Sequence, residues 1–425
     1  MEFSLANAQS LIGIVGILAI CWLLSENKKR FPFLLTLGVL LVQAGLILLL
    51  FQVEAAQAVL QAIGQGVEAL GAATSEGVKF VFGYLAGGDQ PYAVTNEGAA
   101  FIFAFRVLPV ILVICALSAL LWHWGVLKVI TKFFGLVFQK TMGLRGPPAL
   151  AVAATVFMGQ VEGPIFIRSY LEKLTRSELF MLIAVGMSCV SGSTLVAYAA
   201  ILHDVLPNAT AHVLTASVIS APAGVLLSRI VVPADPVEKS APFETTTDKT
   251  YDSSIDAVMK GTSDGMNVAV NVAASLIVFV AIVALINLIL ASFGDVGGAP
   301  LSVQRGLGVV FSPLAYAIGI PWDESQQAGS LLGVKLVQTE FTAFIELGKI
   351  PVTAMSERTR VILTYALCGF ANVASVGINV GGFSVLVPQR RAEILGLVWK
   401  AMLTGFLATC LTAAVVALMP WLFQS

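Results

Sequence analysis

The sequence predicts an all-α polytopic membrane protein with eight transmembrane helices, two re-entrant helical hairpins, interfacial helices and an inverted repeat. The first observation is composition: 57% of the 425 residues are hydrophobic and only 12% are charged, against about 25% charged residues in ordinary soluble domains. The second is a series of apolar stretches of about 20 residues, the length that crosses the hydrocarbon core of a bilayer. The third is a pair of apolar stretches that polar residues interrupt at their centres.

Eight stretches have the length and composition of spanning helices, at 8–25, 33–52, 105–127, 179–201, 211–232, 266–292, 361–387 and 397–422. Basic residues gather at the cytoplasmic ends of such helices. If the N-terminus lies outside, the basic clusters fall inside, at 28–30, 128–145, 168–176, 229–260 and 390–391, and Arg358 and Arg360 are the exception. The cluster at 28–30 follows the first apolar run, which indicates a retained helix and not a cleaved signal.

Two further segments complete the predicted topology. Within residues 55–73, a polar stripe recurs every three or four residues, which is typical of a helix that lies in the membrane interface; its members are Gln57, Gln61, Gln65 and Glu68. Residues 232–264 form a hydrophilic loop rich in proline and acidic side chains, and this loop divides the chain into two halves.

Two apolar segments break at their centres and predict re-entrant hairpins. The first covers 146–168 and contains "ATVFMGQVEGPIFIR", in which residues 159–164 separate two arms that are each too short to span. The second covers 328–352 and breaks around Thr339 and Glu340. Non-helical backbone persists at membrane depth only where protein or a water-filled cavity covers it. We therefore expect both tips to lie inside the protein.

The segments after the two hairpins repeat one pattern. Ser177 and Glu178 open an apolar run that contains "SCVSGS", and Ser356 and Glu357 open a run that contains "CGFANVAS". An odd number of predicted spans separates the two units, so the second has inverted topology. Paired interrupted segments in two inverted halves indicate a substrate site near the membrane midplane. Free N–H and C=O groups at broken helix ends can bind polar solutes there.

Glu162 and Glu340 lie at the two predicted tips and are the strongest candidates for function. Ionisable residues inside a membrane are costly, so a functional role is the first hypothesis for each. The alternative is a protonated glutamate that caps a helix end.

The sequence gives little support to several other classes of function. The balance of 24 basic and 25 acidic residues gives no indication of nucleic acid binding. The three histidines stand far apart, without metal-ligand spacing, and the five cysteines lie in apolar stretches, as buried free thiols do. A membrane-embedded enzyme with Glu162 and Glu340 as an acid/base pair stays open, as does a carrier or channel for another polar solute. We expect neither a cofactor nor enzymatic activity.

Four motifs occur in the order found in one known family: "FIFAFRVLP" at 101–109, "GQVEGP" at 159–164, "TEFTAF" at 339–344 and "CGFANVASVGI" at 368–378. With these motifs, the chain resembles the bacterial concentrative nucleoside transporters over nearly its whole length. The resemblance implies a homotrimer in the bacterial inner membrane that imports nucleosides with a cation gradient. It also implies a mobile transport part that carries the nucleoside past a fixed scaffold, as an elevator does.

The resemblance divides the chain into scaffold and transport parts. The expected boundaries are 1–127 for scaffold helices with an interfacial helix, 128–232 for the first transport repeat, 233–263 for a cytoplasmic loop with an interfacial helix, 264–295 for a long scaffold helix, and 296–425 for the second transport repeat.

The same resemblance assigns roles at the site. On the base side, Gln160 would hydrogen-bond the nucleobase, Glu162 would reach it directly or through water, and Phe370 would present its ring edge. The family tip usually has threonine at the position of Val161 and often valine at the position of Thr194. The hydroxyl contact would thus have moved across the pocket, which leaves purine or pyrimidine preference open.

On the ribose side, Glu340 would accept hydrogen bonds from the ribose hydroxyls, and Asn372 and Ser375 would complete the clamp. These residue types suit a ribose because its hydroxyls need acceptors and donors. An analogue that lacks a recognised hydroxyl would leave buried groups unpaired, at a cost of about 1–3 kcal/mol each.

The resemblance also concerns the coupling ion. Sodium-coupled members have asparagine at the position of Thr155 and serine at the position of Cys189, and a hard cation prefers oxygen ligands to a thiol. We therefore expect a proton in preference to sodium, with Glu162 or Glu340 as the titrating group, because burial raises the pKa of a carboxyl group. The expected cation-coupling residues are Glu162, Glu340, Thr155, Met158, Cys189 and Val190, the last three through backbone carbonyls near them.

Overall fold

The computed structural model describes residues 5–93, 102–106, 108–144, 146–160, 162–165, 167–203, 205–235, 251–296 and 298–419. The described chain is helical apart from short turns and one two-residue antiparallel ladder, β1 (Asp295–Val296) with β2 (Ala299–Pro300). The helices are α1 (Leu5–Leu23), α2 (Phe33–Gln52), α3 (Glu54–Phe82), α4 (Phe103–Arg106), α5 (Leu108–His123), α6 (Val126–Met142), α7 (Pro147–Met158), α8 (Glu162–Ile165), α9 (Arg176–Ser188), α10 (Gly192–Leu202), α11 (Ala209–Val231), α12 (Ser254–Ala291), α13 (Val303–Ala317), α14 (Trp322–Val337), α15 (Glu340–Lys349), α16 (Glu357–Leu367), α17 (Val373–Leu386) and α18 (Arg391–Ala417).

Five of the described segments are long and apolar enough to cross a membrane: Phe33–Gln52, Phe103–His123, Ala209–Val231, Ser254–Ala291 and Pro388–Ala417. They confirm the all-α polytopic class. The predicted spans at 179–201 and 361–387 are each two helices, α9 with α10 and α16 with α17. The total of eight spans stays a prediction.

Polar side chains fix where the interrupted helices begin. Thr175 forms a capping box with Glu178 at the start of α9, and the Ser356 hydroxyl accepts from the Thr359 N–H at the start of α16. Such caps satisfy N–H groups that have no partner within the helix. The two interruptions meet directly, because the Phe370 N–H donates to the Cys189 carbonyl at 3.2 Å.

The two predicted hairpins have unequal arms. The first joins α7 to the four-residue α8, and the second joins the 16-residue α14 to the 10-residue α15. The second hairpin begins at Trp322, earlier than the predicted 328. A helix that the sequence analysis did not predict, α13, precedes it and bends from α14 by 117°. Helix α6 likewise precedes the first hairpin in the chain.

Helix α12 is longer than the predicted scaffold helix. The Ser253 hydroxyl accepts from the Asp256 N–H, and the helix then runs without a break for 38 residues. The interfacial helix expected within 233–263 is therefore, from residue 254 onward, the first part of α12. Residues 236–250 of that loop lie outside the described part of the chain.

Buried apolar side chains form two clusters, and the partly buried Phe103 and Val272 contact both. The larger one joins both hairpins and both interrupted helices to α11, α18, α1 and α2. The smaller one lies between α5 and α12 and contains Leu108, Ile111 and Ala269. The predicted boundaries of scaffold and transport parts stay a prediction, but this packing groups α1 and α2 with the hairpins and not with α5.

Two of the basic clusters predicted to lie inside, 168–176 and 390–391, meet at one end of the molecule. The Glu26 carboxylate, just after α1, accepts from Arg176 and from Lys400, each at 3.0 Å. These hydrogen bonds, that of Arg176 first, lower the pKa of Glu26 below its usual value. Arg390 donates to the carbonyls of Leu171 and Leu174 at the same end.

Arg360, an exception to the predicted charge distribution, has a structural role. Its side chain is buried, and its guanidinium donates to the Ile350 carbonyl at 2.9 Å, the Pro351 carbonyl at 2.5 Å and the Met355 carbonyl at 3.3 Å. A cation near the end of α15 satisfies carbonyls that the helix leaves without partners. Because this arginine is held inside the protein, its position gives no information on which side of the membrane is cytoplasmic.

Candidate substrate site

A cavity of about 210 Å³ lies where both hairpin tips, both helix interruptions and α12 meet. Its volume is many times the roughly 10–15 Å³ that a cavity needs to hold one water molecule. Of the predicted site residues, it brings together Gln160, Thr194, Glu340, Phe370, Asn372 and Ser375. Helix α12 borders it with Val268, Asn271, Val272 and Leu276. The cavity therefore has a polar side from the hairpins and a largely apolar side from α12.

Glu340 is the first residue of α15, and its carboxylate is buried beside the cavity. The Tyr198 hydroxyl donates to Oε1 at 2.8 Å, and the Asn372 amide donates to Oε2 at 2.6 Å. The start of a helix also favours negative charge. An ionised carboxylate has about four acceptor positions, so Tyr198 and Asn372 leave it able to accept from a further donor.

Asn372 has its amide orientation fixed by the helix that it caps. Its Oδ1 accepts from the Ser375 N–H at 2.7 Å, at the first turn of α17. A backbone N–H can only donate, so the oxygen must face it and the nitrogen must face Glu340. The interruption between α16 and α17 thus aims a donor at the carboxylate.

Gln160, at the first tip, is held by α17 of the other half. Its Oε1 accepts from Asn379 Nδ2 at 2.8 Å, and its Nε2 donates to the Ser375 hydroxyl at 3.2 Å. All three side chains are buried. The predicted base-side residue is therefore ordered before any solute enters.

The structure places two further predicted contact residues, Thr194 and Phe370, at the cavity. Thr194 borders the cavity, and its hydroxyl donates to the Ser191 carbonyl at 2.9 Å. Phe370 borders the same cavity and is partly buried. Val161 and the side chains of Glu162 and Met158 lie outside the described residues. The predicted meeting of Glu162 with Glu340 therefore stays a prediction.

Oxygens predicted to hold a coupling cation have protein partners. The Thr155 hydroxyl donates to the Ala151 carbonyl at 2.8 Å. The Cys189 carbonyl accepts from the Phe370 N–H at 3.2 Å, and the Val190 carbonyl accepts from the Ser217 hydroxyl at 3.2 Å. Within the part of the chain that the structure describes, no group of three or more His, Cys, Asp or Glu residues could hold a metal ion.

Sequence reasoning missed the residues that hold the predicted ones. Tyr198 and Asn379 orient Glu340 and Gln160, as described above. Lys335, fully buried on α14, donates to the Ala366 carbonyl at 2.8 Å and the Thr409 hydroxyl at 2.7 Å, and so fastens the second hairpin to α16 and α18. A lone lysine within the apolar stretch at 328–337 was the available signal for Lys335; nothing local marks Tyr198.

Family models match most of the chain. A model described as "Na+ dependent nucleoside transporter N-terminus" matches residues 12–85, and its C-terminal counterpart matches 212–417. Between them, a gate model described as "Nucleoside recognition" matches 104–204.

Individual proteins are similar over nearly their full length. The "Uncharacterized transporter YutK" of Bacillus subtilis is 37% identical over 409 residues, which cover 95% of this chain and 97% of that protein. The "Nucleoside permease NupC" of Helicobacter pylori is 33% identical over 415 residues, covering 96% and 97%. A solved structure of CNTnw in an inward-facing substrate-bound state has a TM-score of 0.89 at 34% identity and covers 99% of each chain.

Proposed function

This chain belongs to the concentrative, Na+ dependent nucleoside transporter family, and we propose that it imports nucleosides through the cavity between its two hairpins. One observation carries the proposal: the buried Glu340 carboxylate borders the cavity and is oriented by donors from both halves of the chain, Tyr198 and Asn372. A site of this kind recognises a solute with several hydroxyl groups.

The ribose fits the acceptors that remain on Glu340. Tyr198 and Asn372 use one acceptor position on each carboxylate oxygen, and a carboxylate has about four, so the group can still accept from a ribose hydroxyl. A sugar without this hydroxyl leaves a buried carboxylate position empty, at a cost of about 1–3 kcal/mol. We therefore assign the ribose to the second hairpin tip.

The base fits the opposite side of the cavity. Gln160 offers a fixed amide, and Phe370 offers an aromatic surface beside it. Thr194 and Ser191 add hydroxyl groups to this border. Glu162 and Val161 complete the proposed base contacts, as the family resemblance implies.

We propose that transport follows an elevator mechanism, in which the hairpins move as a unit past a fixed scaffold. The hairpins and interrupted helices share one buried cluster, whereas buried side chains of α5 and α12 form a second one. The partly buried Val272 of α12 contacts both clusters. The α12 side of the cavity is apolar except for Asn271, so a polar solute gains little from staying there. The proposed motion carries the hairpins past α12 and so exposes the cavity to each side in turn.

The coupling ion is proposed to be a proton. The asparagine of sodium-coupled members is replaced by Thr155, and a thiol stands in place of their serine at Cys189. A thiol suits a hard cation poorly. The description of the family model names Na+, which makes separate gradients the decisive test. Sodium-free uptake that follows an inward proton gradient is expected. A sodium requirement without alkalinisation of the medium would contradict it.

We also propose a homotrimer in the bacterial inner membrane with its N-terminus outside. The trimer rests on the family resemblance. The orientation has support from the basic residues that converge with Glu26 at one end of the molecule, which would be the cytoplasmic end.

Uptake of radiolabelled uridine into proteoliposomes tests the proposed function. We expect uridine to accumulate unmodified, and to be displaced by other nucleosides but not by free bases or free sugars. Chemical conversion of the recovered label would favour the membrane-embedded enzyme instead. Equal displacement by unrelated polar solutes would favour a carrier or channel for another substrate.

A further inference from the structure

We propose that Asn379 is a positioning residue that decides which atom of the Gln160 amide faces the base, and thereby sets the selectivity between nucleobases. This inference rests on the proposed function, because it requires Gln160 to contact a nucleobase. Asn379 lies on α17 with no exposed surface. It does not border the cavity, so it acts through Gln160.

The orientation of the Asn379 amide follows from its partner in its own helix. Asn379 Nδ2 lies 2.9 Å from the Ser375 carbonyl oxygen. A backbone carbonyl can only accept, so the amide nitrogen and not the amide oxygen must face it. The same nitrogen lies 2.8 Å from the Gln160 side chain. The Gln160 atom on that side must therefore be its oxygen.

The orientation of Gln160 follows in turn. Because Oε1 faces Asn379, Nε2 is directed to the other side, where it donates to the Ser375 hydroxyl at 3.2 Å. An amide nitrogen carries two hydrogens, and the second remains for a solute in the cavity that Gln160 borders. The protein thus offers the base a donor and not an acceptor at this position.

The opposite orientation would be costly. A flipped Asn379 would direct its oxygen at two acceptors, the Ser375 carbonyl and Gln160 Oε1. In the observed orientation, Asn379 Oδ1 is buried without a hydrogen-bond partner among the described residues. This arrangement already leaves one acceptor unpaired, and the flip would add direct repulsion between acceptors. The amide of Gln160 is therefore fixed by a residue that the solute does not touch.

A fixed donor distinguishes base edges. At the exocyclic position of the base, a keto oxygen accepts from Gln160 Nε2, whereas an amino group meets it donor to donor. Without Asn379, Gln160 can rotate its amide and offer its oxygen to an amino group. Loss of Asn379 should therefore shift selectivity toward bases with an amino group.

The test is the Asn379→Leu variant, which keeps the approximate volume and removes the amide. In proteoliposomes, kcat/KM is measured for two pairs that differ by keto against amino: uridine with cytidine, and inosine with adenosine. We expect each ratio to shift by about tenfold toward the amino-bearing member, the effect of one directional hydrogen bond. These ratios do not depend on how much variant protein folds. Ratios within twofold of the unsubstituted chain overturn the proposal.

Asn267→Leu provides the matched control, because Asn267 is an exposed asparagine of α12 that does not border the cavity. Its ratios should equal those of the unsubstituted chain, and an equal shift in both variants also overturns the proposal. The measurements distinguish a failure of the proposed function from a failure of the role proposed for Asn379. No nucleoside uptake by the unsubstituted chain removes the proposed function, whereas uptake with unchanged ratios in Asn379→Leu removes only the role of Asn379.

Discussion

The two hairpin tips occupy corresponding places in the repeat but are built differently. At the first tip, Gly159 has a φ of +114°, a conformation that side chains with a Cβ rarely adopt. Four residues later, Gly163 lies against Thr155 of the opposing arm, and a Cβ there would lie 2.8 Å from the Thr155 Cα. At the second tip, Thr339 has an extended backbone, and its hydroxyl accepts from the Thr342 N–H at 3.2 Å.

The backbone of a tip and the polar side chain that it places at the cavity are therefore determined by different residues. The first tip needs glycine so that the backbone can turn and its arms can touch, whereas the second needs a capping side chain. Each nevertheless presents one polar side chain that residues of the other half hold in place. Gln160 is held by Ser375 and Asn379, and Glu340 is held in part by Tyr198. Each half of the chain thus completes the contacts of the other half's tip.

The largest expected effect falls on the second tip. Glu340→Gln places an amide nitrogen against the donor of Tyr198 or of Asn372, so one buried pair meets donor to donor. We expect uridine uptake to fall at least about a hundredfold, which corresponds to about 2.8 kcal/mol. Uptake is compared with that of Glu346→Gln, because Glu346 lies on the same helix but away from the cavity. Normal uptake by Glu340→Gln would remove Glu340 from the site.

Gly163→Ala should disturb the first tip next most strongly. The added Cβ meets Thr155 backbone that cannot move without separating the two arms, and overpacking of this kind costs about 1–3 kcal/mol. We expect a lower melting temperature in detergent together with weaker uptake. Gly377→Ala is the control, because a Cβ at Gly377 in α17 meets no atom within 4 Å. Equal melting temperatures for the two variants would show that the arms do not need to touch.

Tyr198→Phe tests whether one half supports the tip of the other. It removes one donor to Glu340 and keeps the ring that stacks on Phe344 at 4.4 Å. The carboxylate oxygen then loses its protein donor, at about 1–3 kcal/mol. We expect KM for uridine to rise by about tenfold with little change in melting temperature. Tyr365→Phe, a buried tyrosine paired with His212, should leave KM unchanged; a similar rise in both would mean a general packing effect.

The smallest expected effect concerns the cap of the second tip. Thr339→Ala removes the hydroxyl that accepts from the Thr342 N–H, and loss of such a cap costs about 1 kcal/mol. Thr339→Ser keeps the hydroxyl and should retain the melting temperature of the unsubstituted chain. A full loss of stability in Thr339→Ser would assign the role to the methyl group and not to the cap.

The local features of the fold could be predicted because they depend on neighbours in sequence. The apolar length of 33–52 and of 211–232, the glycine and proline at 159–164 and the polar residues around Thr339 are all visible in short windows. The fold class was predicted correctly, but two helices differ from the prediction where helix continuity depends on a wider context. Helix α13 is amphipathic and short, so its sequence does not indicate a membrane span. Helix α12 begins at residue 254, within the predicted hydrophilic loop at 232–264.

The family motifs identified the site residues but not the residues that hold them in place through hydrogen bonds. Gln160, Glu340, Phe370, Asn372 and Ser375 were predicted and do border one cavity. Their individual roles toward a nucleoside remain predictions. Tyr198 carried no local signal, because a tyrosine in an apolar helix is as consistent with packing as with a hydrogen bond.

By itself, the sequence determined that this chain is a helical membrane protein with interrupted segments, since hydrophobic length, helix breakers and caps act over a few residues. Only the tertiary structure decided which polar groups meet. Asn379 reaches Gln160 across 219 positions and Tyr198 reaches Glu340 across 142. The physical reason is that a hydrogen bond requires a donor and an acceptor about 3 Å apart, and that separation depends on how whole helices pack.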